Sequence, residues 1–278
     1  MIGVIDVGGG LRAIFGAGVF DYCLDKKIQF DYCIGISAGS ANVVSYIGKQ
    51  RSRNYQFYME YSFRPQYMSI RNFLRTGSYV NLDYVYEELS NSGGENPLNY
   101  EEIKHSKTTM KIVALNALTG KTIYFDKKDM AQDDYKILMA SSSIPVANKP
   151  YFVNDIPCYD GGLAEPVPIK CAMKDGCDKV VVILTKPRDH VRTPKKDVRM
   201  ARLIRLKYKK VADSLVLRYK KYNEGVALAK NYEKQGKALI VAPTDCCQMK
   251  TLTKNRESMQ KMYEQGYNAA ESILSFLE

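Results

Sequence analysis

The chain has 278 residues, 45% hydrophobic and 26% charged, the proportions of an ordinary globular protein, which exclude a disordered chain, a collagen and a coiled coil. A chain of this length buries roughly three quarters of its unfolded surface, so its core needs no disulfide or metal staple. Its net charge is +11, and its longest apolar runs, such as residues 180–184 and 238–242, fall far short of the roughly 20 residues that cross a bilayer.

In chain order, residues 2–7 read as a buried strand running into Gly8, Gly9 and Gly10, and a helix is predicted from about Ala13 to Lys26. The opening residues, Met1-Ile2-Gly3-Val4-Ile5-Asp6, lack a basic stretch and do not read as a signal peptide. Residues 30–36 form a second strand, broken sharply at Gly35-Ile36-Ser37-Ala38-Gly39, with a helix following to about Gly48. Two successive strand–helix units predict a right-handed β-α-β start and a largely parallel sheet. A run rich in Tyr and Phe extends from Tyr55 to Tyr86, and residues 90–97, with Gly93, Gly94 and Pro97, are a loop. Strands return at 111–115 and 121–125 around a Thr119-Gly120 turn, and a short helix over 133–141 ends before Pro145. Strands at 179–185 and 238–242 flank a basic helical segment, and 256–277 is a final amphipathic helix. The whole reads as one α/β domain with a basic helical insertion near the C-terminus: a core over 1–185, with 186–278 packed on it.

Between Lys186 and Lys234 stand 16 Lys and Arg against five Asp and Glu, so this segment holds the entire charge excess. Met200, Ile204, Tyr208, Val211, Leu215, Tyr219 and Tyr222 recur there at steps of three and four, an apolar stripe on a basic helix. Such a helix is a solvated outer face, a peripheral contact for an anionic membrane, or a nucleic-acid surface. Without a nucleic-acid motif, no nucleic-acid partner is expected. The seven cysteines include no C-x-x-C pair, and the two histidines, His105 and His190, are not spaced for zinc. No metal or other cofactor is expected, and a reduced, cytoplasmic setting is the expected location, with peripheral membrane contact as one reading of the basic segment. Cys246-Cys247 is a vicinal pair with two readings, redox-active or simply buried near a strand end.

Three motifs carry chemistry. Gly35-x-Ser37-x-Gly39, after a strand and before a helix, is a nucleophile-elbow pattern: a tight turn projects the serine hydroxyl, and the helix N-terminus aims its amides at the same spot. Gly8-Gly9-Gly10-Leu11-Arg12 lets backbone N–H groups turn toward a phosphate or an oxyanion with no side chain in the way. The same residues spell a loose dinucleotide fingerprint at Gly8, Gly10 and Ala13. That fingerprint wants an acid at the end of the next strand, where Asp31 falls approximately, but the strand runs on past it into the serine elbow. Asp160-Gly161-Gly162 by itself is a plain turn.

Taken in this order and at these separations, the three motifs resemble the patatin-like phospholipase family, over roughly residues 1–185. Ala140-Ser141-Ser142-Ser143-Ile144-Pro145 is similar to the family's segment upstream of the aspartate, and Gly39-Ser40-Ala41-Asn42 to a continuation found in bacterial members. The resemblance implies a three-layer α/β/α patatin-like fold with a mostly parallel sheet. It implies a serine acyl-ester hydrolase acting on a lipid or small acyl-ester substrate: Ser37 as nucleophile, Asp160 as base in a Ser-Asp dyad without histidine, and oxyanion donors around Gly9 and Gly10. Gly8 and Arg12 belong to that loop, and Gly35, Gly39, Gly161 and Gly162 complete the motifs. The Tyr55 to Tyr86 run then reads as the wall or lid of an acyl pocket, or as an ordinary core face. The family's loop ends in glycine where this chain has Ala13. A dinucleotide-binding module and a non-catalytic lipid-binding protein are the alternative readings.

Overall fold

Alternate residues of the central strands feed two different cores, and that alternation sets the architecture. In the computed structural model, which describes residues 1–278, β1 (Ile2–Asp6) passes through a 3-10 turn at Gly10–Ala13 into α1 (Ile14–Asp25), and β2 (Tyr32–Ile36) runs into α2 (Ala38–Ile47). Next come α3 (Arg53–Met59), α4 (Ile70–Thr76), a π-helical turn at Tyr84–Leu89 and α5 (Tyr100–His105). The hairpin β3 (Thr109–Asn116) and β4 (Thr122–Phe125) leads to α6 (Lys136–Ser142). A second hairpin, β5 (Tyr151–Val153) and β6 (Ile156–Asp160), precedes α7 (Ile169–Lys174) and β7 (Lys179–Ile183). The chain ends with α8 (Lys195–Ile204), α9 (Lys209–Lys234), β8 (Ala238–Val241), α10 (Arg256–Ala269) and α11 (Ser272–Leu277).

β1 pairs in parallel with β2 and β7, β2 with β3, and β7 with β8, while β4 and the β5–β6 hairpin are antiparallel. Val4, Cys33, Ile112 and Val181 point into a core completed by α1, α2, α6 and α10. Their neighbours Ile5, Ile34, Val113 and Val182 point into a second core under α7 and α9. Strands buried on both faces need apolar residues at every position, which is why β7 reads as a continuous run. The result is the mostly parallel three-layer α/β/α fold expected from the motifs. α10 crosses α1 closely: a side chain at Gly18 or Gly266 would strike Tyr263 or the Phe15 carbonyl.

Two predicted elements differ and one element is new. The apolar stripe from Met200 to Tyr222 is not one helix: α8 stops at Ile204, and Tyr208 takes φ −137° and ψ 78° before α9 begins. The chain folds back, so Ala201, Ile204, Val211 and Leu215 close a third small core with Leu115, Tyr159 and Leu163. Tyr208 stacks edge-on against Tyr159 with centroids 5.7 Å apart, a gain a continuous helix would forgo. The final helix breaks between α10 and α11, where the bond Ile273 N–H to Ala270 O tightens the chain to an i+3 spacing. The β5–β6 hairpin was not predicted, although its turn, Asn154 at φ 49° and Asp155 at φ 63°, has the residue types that a two-residue primed turn selects.

Candidate active site

β3 brings the serine elbow and the aspartate together. Ile36, the last residue of β2, pairs with Val113 of β3, and Asp160, the last residue of β6, pairs with the next residue, Ala114. β4 pairs with both Val113 and Ala114 and so takes the other edge. β2 and β6 therefore meet end to end along one edge of β3, and Ser37 emerges at the junction. Ser37 and Asp160 line the same cavity there, near enough for the serine side chain to lower the Asp160 pKa.

Ser37 has φ 55° and ψ −133°, a region nearly reserved for glycine that costs about 1–3 kcal/mol for a side-chain-bearing residue. Its surroundings hold it there. The Ser37 N–H donates to Ser141 Oγ at 2.9 Å, and the Ser40 N–H donates to the Ser37 carbonyl at 2.9 Å. The Asp160 N–H donates to the Ser143 carbonyl at 2.8 Å. The serine run at the end of α6 thus straps both residues from behind.

Asp160 is 3% exposed, and the Gly162 N–H donates to its Oδ1 at 2.7 Å. Burial pushes its pKa up, while Arg218, Ser37, Gly162 and Arg192 pull the other way, and the balance stays above the ordinary carboxylate value. A raised pKa makes a carboxylate a stronger base.

The three loop glycines do different jobs. The Gly8 N–H is spent on Asp6 Oδ1 at 2.8 Å, and the Leu11 N–H on the Thr251 carbonyl at 2.8 Å. The N–H groups of Gly9 and Gly10 have no acceptor in the protein. Gly9 has φ 138°, and a side chain there would press on Thr185 Oγ1. Ala13, by contrast, has φ −68° and ψ −4°, ordinary helical values, so its methyl costs the loop no backbone strain. Arg12 is buried, with Nε donating to the Thr185 carbonyl at 3.2 Å and a terminal nitrogen donating to Thr251 Oγ1 at 3.3 Å.

Two cavities meet at the elbow, sharing Gly10, Ser37, Ile144 and Leu252. The narrow one, about 50 Å³, is walled by Phe57, Tyr58, Tyr67, Val85 and Tyr86, residues of the aromatic run. The wide one, about 580 Å³, also reaches Gly8, Gly9, Asp160 and Gly162. Gly35 lies in β2, Gly39 in the first turn of α2, and Gly161 and Gly162 open a 3-10 turn after β6.

Several residues of this site carried no motif. Asp6 accepts from Asn42 Nδ2 at 2.8 Å as well as from Gly8, and burial raises its pKa to about 6. Its only sequence signal is an acid closing an apolar strand. Ser141 was legible only as part of the serine run that resembles the family's segment, without a role of its own, and Arg218 had no signal among many bases. Arg218 Nε donates to the Gly162 carbonyl at 2.9 Å. His105 Nδ1 lies 2.8 Å from the Glu101 carbonyl, and His190 Nε2 lies 2.6 Å from Lys186 Nζ. Asp31 accepts from the Ile2 N–H at 2.7 Å, at the end of the sheet opposite the glycine loop, where it cannot serve a dinucleotide bound there. All seven cysteines are free, and Cys246 and Cys247 are half-buried. No helix is long and apolar enough to cross a membrane.

Comparison with known proteins gives a consistent picture for the first two thirds of the chain. The family model described as patatin-like phospholipase matches residues 7–173, more than half the chain, and a domain of unknown function (DUF6363) matches residues 208–278. The uncharacterized protein YjjU of Escherichia coli (strain K12) is 29% identical over 216 residues, which is 72% of this chain and 56% of YjjU. The chain thus spans a little over half the length of that curated relative. Among solved structures, VipD from Legionella pneumophila aligns over 98% of this chain and 66% of that chain, with 13% identity and a TM-score of 0.49.

Proposed function

The chain belongs to the patatin-like phospholipase family, a family of lipid acyl hydrolases, and from that premise we propose that it cleaves acyl esters with Ser37 as nucleophile and Asp160 as its only base. Ser37 Oγ attacks the ester carbonyl as its proton passes to Asp160. The carbonyl oxygen takes up the negative charge and receives hydrogen bonds from the Gly9 and Gly10 amides. The C–O bond to the alcohol then breaks, the proton moves from Asp160 to the departing oxygen, and Ser37 is left acylated. Water then attacks the acyl carbonyl as it gives a proton to Asp160; the bond to Ser37 Oγ breaks, Oγ takes that proton back, and the fatty acid leaves.

The observation that supports this reading is the register that brings Ser37 and a buried, base-strengthened Asp160 to one cavity, beside two amides with no other acceptor. The aromatic cavity supports a place for the first carbons of the acyl chain, since it opens at Ser37 and is mostly apolar, with Arg53, Asn54 and Asn96 also lining its about 50 Å³. Residues 1–185 form the catalytic part in this reading, with 186–278 packed on it, and peripheral contact with anionic membrane supplies the substrate. The test is Ser37→Ala, with p-nitrophenyl decanoate and a fluorophosphonate probe. The variant should keep its fold and lose both p-nitrophenol release and labelling. Hydrolysis that survives the substitution would end the proposal.

A further inference from the structure

The wide cavity carries far more positive charge than its own carboxylates balance. Arg12, Lys186, Arg192, Lys196 and Arg218 line it, against Asp160 and Asp197. Asp197 is taken up by Arg192, which grips it with Nε at 3.0 Å and a terminal nitrogen at 2.9 Å, and Arg218 stands 3.9 Å away. Asp160 is committed to Ser37 and Gly162. Arg12, Lys186 and Lys196 therefore face the cavity with no carboxylate partner: Arg12 bonds only neutral oxygens, and Lys186 touches only the His190 ring. Burial and the neighbouring Arg12, Arg192 and Lys196 lower the Lys186 pKa to about 8, as expected where like charges crowd together. Such crowding costs the empty protein stability, and an anion in the cavity relieves it.

The position of this charge relative to the reacting bond identifies the anion. The apolar cavity and the cationic cavity meet at Ser37 and Gly10, so an ester with its acyl chain among Phe57, Tyr58 and Tyr86 extends its alcohol toward the cations. Apart from Arg12, all the cations lie beyond residue 173, outside the stretch matched by the phospholipase model. We propose that the segment after β7 builds a leaving-group subsite for a phosphomonoester, so that this protein prefers acyl esters whose alcohol carries a terminal dianionic phosphate over those with a zwitterionic or neutral alcohol. A choline ammonium placed there would meet the same cations that hold the phosphate. On cleavage the released alcohol is a phosphorylated polyol, its oxygen protonated from Asp160. The proposal rests on the hydrolase reading above.

The test uses three esters sharing one decanoyl chain, each as monomer near pH 7: lysophosphatidic acid, lysophosphatidylcholine and monoacylglycerol. The wild-type protein should show a kcat/KM for lysophosphatidic acid at least tenfold above the other two. Lys186→Gln, and Lys186→Gln with Lys196→Gln, should shrink that advantage stepwise, and raised salt should do the same. Glycerol 3-phosphate should compete with the neutral ester more strongly than inorganic phosphate does. Equal kcat/KM on all three esters overturns the subsite, as does an advantage that both variants keep. Stronger competition from inorganic phosphate overturns it too, because the cations then hold a loose ion and not a leaving group. In those cases labelling of Ser37 and turnover of the neutral ester leave the hydrolase reading standing. Neither labelling nor turnover of any ester removes both.

Discussion

Asp6 Oδ1 accepts the Gly8 N–H at 2.8 Å, and that one bond ties the end of β1 to the start of the glycine loop. The other carboxylate oxygen takes Asn42 Nδ2 at 2.8 Å, and Asn42 in turn donates to the Ala13 carbonyl at 2.8 Å. Both ends of the loop are therefore anchored through Asp6 and Asn42, while Gly9 and Gly10 between them stay unpaired.

Asp6→Ala frees the Gly8 amide and lets the loop move, so kcat on p-nitrophenyl decanoate should fall by 10-fold or more with little change in KM. Loss of a complete oxyanion donor, about 3–4 kcal/mol, is the upper bound. Stability should report the same residue. Its folded pKa of about 6 exceeds the unfolded value, so the native state binds the proton more tightly and stability falls as pH rises from about 4 to about 6, then levels off. The fall attributable to Asp6 is about 3 kcal/mol, and Asp6→Asn should remove it. Denaturant unfolding at pH 4, 6 and 8 measures both slopes.

Asp160→Asn keeps the shape of the carboxyl and removes the base, so turnover should drop by about 10²–10⁴. Because burial holds the Asp160 pKa above its ordinary value, the acid limb of wild-type kcat/KM should lie above the free-carboxylate range, with activity rising as pH rises. The residual activity of Asp160→Asn should lack that limb. A profile governed instead by a group near pKa 6.5 would point to a histidine.

Ser141→Ala should matter more than a place in a serine run suggests. It deprives the strained Ser37 of the acceptor for its buried N–H, a loss of about 1–3 kcal/mol. Thermal unfolding should show the destabilisation, and fluorophosphonate labelling of Ser37 should slow at the same time. Ser142→Ala is the comparison, since the Ser142 hydroxyl has no partner to lose.

The motif residues were legible because each needs a backbone geometry that few residues tolerate: Ser37 at positive φ between a strand and a helix, and glycines where amides must face a ligand. The strand order near them was not legible. That Ile36 and Asp160 occupy neighbouring rungs of β3 depends on the β5–β6 hairpin returning antiparallel to the edge β2 vacates, a long-range pairing with no local signature. The basic segment misled for a related reason. Periodicity shows that one face of a helix is apolar, but not that the chain reverses at Tyr208, nor that Lys186, Arg192 and Arg218 turn into a cavity.

The proposed phosphate preference should itself be pH-dependent. Lys186, held near pKa 8 by burial and its cationic neighbours, loses its charge as pH rises through that value. The advantage of lysophosphatidic acid over monoacylglycerol should therefore decline between about pH 7 and 9. In Lys186→Gln the ratio should be flat over the same interval.

With several segment cations facing inward, the surface left for the proposed membrane contact is narrower than the charge count implies. α4 buries none of its residues: Ile70 is 72% exposed and Leu74 79%, with Arg71 and Arg75 beside them, and Phe73 lines the wide cavity. An exposed apolar pair between arginines suits the headgroup region of an anionic bilayer. Burying two such side chains is worth roughly 3 kcal/mol or more, so Ile70→Glu with Leu74→Glu should cut co-sedimentation with phosphatidylglycerol vesicles about 100-fold and spare the soluble ester assay. Arg199→Glu with Arg202→Glu, on the exposed side of α8, should lower vesicle binding less and mainly at low salt, because separated surface charges are screened within about 10 Å at 0.1 M. If the α8 pair has the larger effect, membrane contact belongs to the basic helices and not to α4.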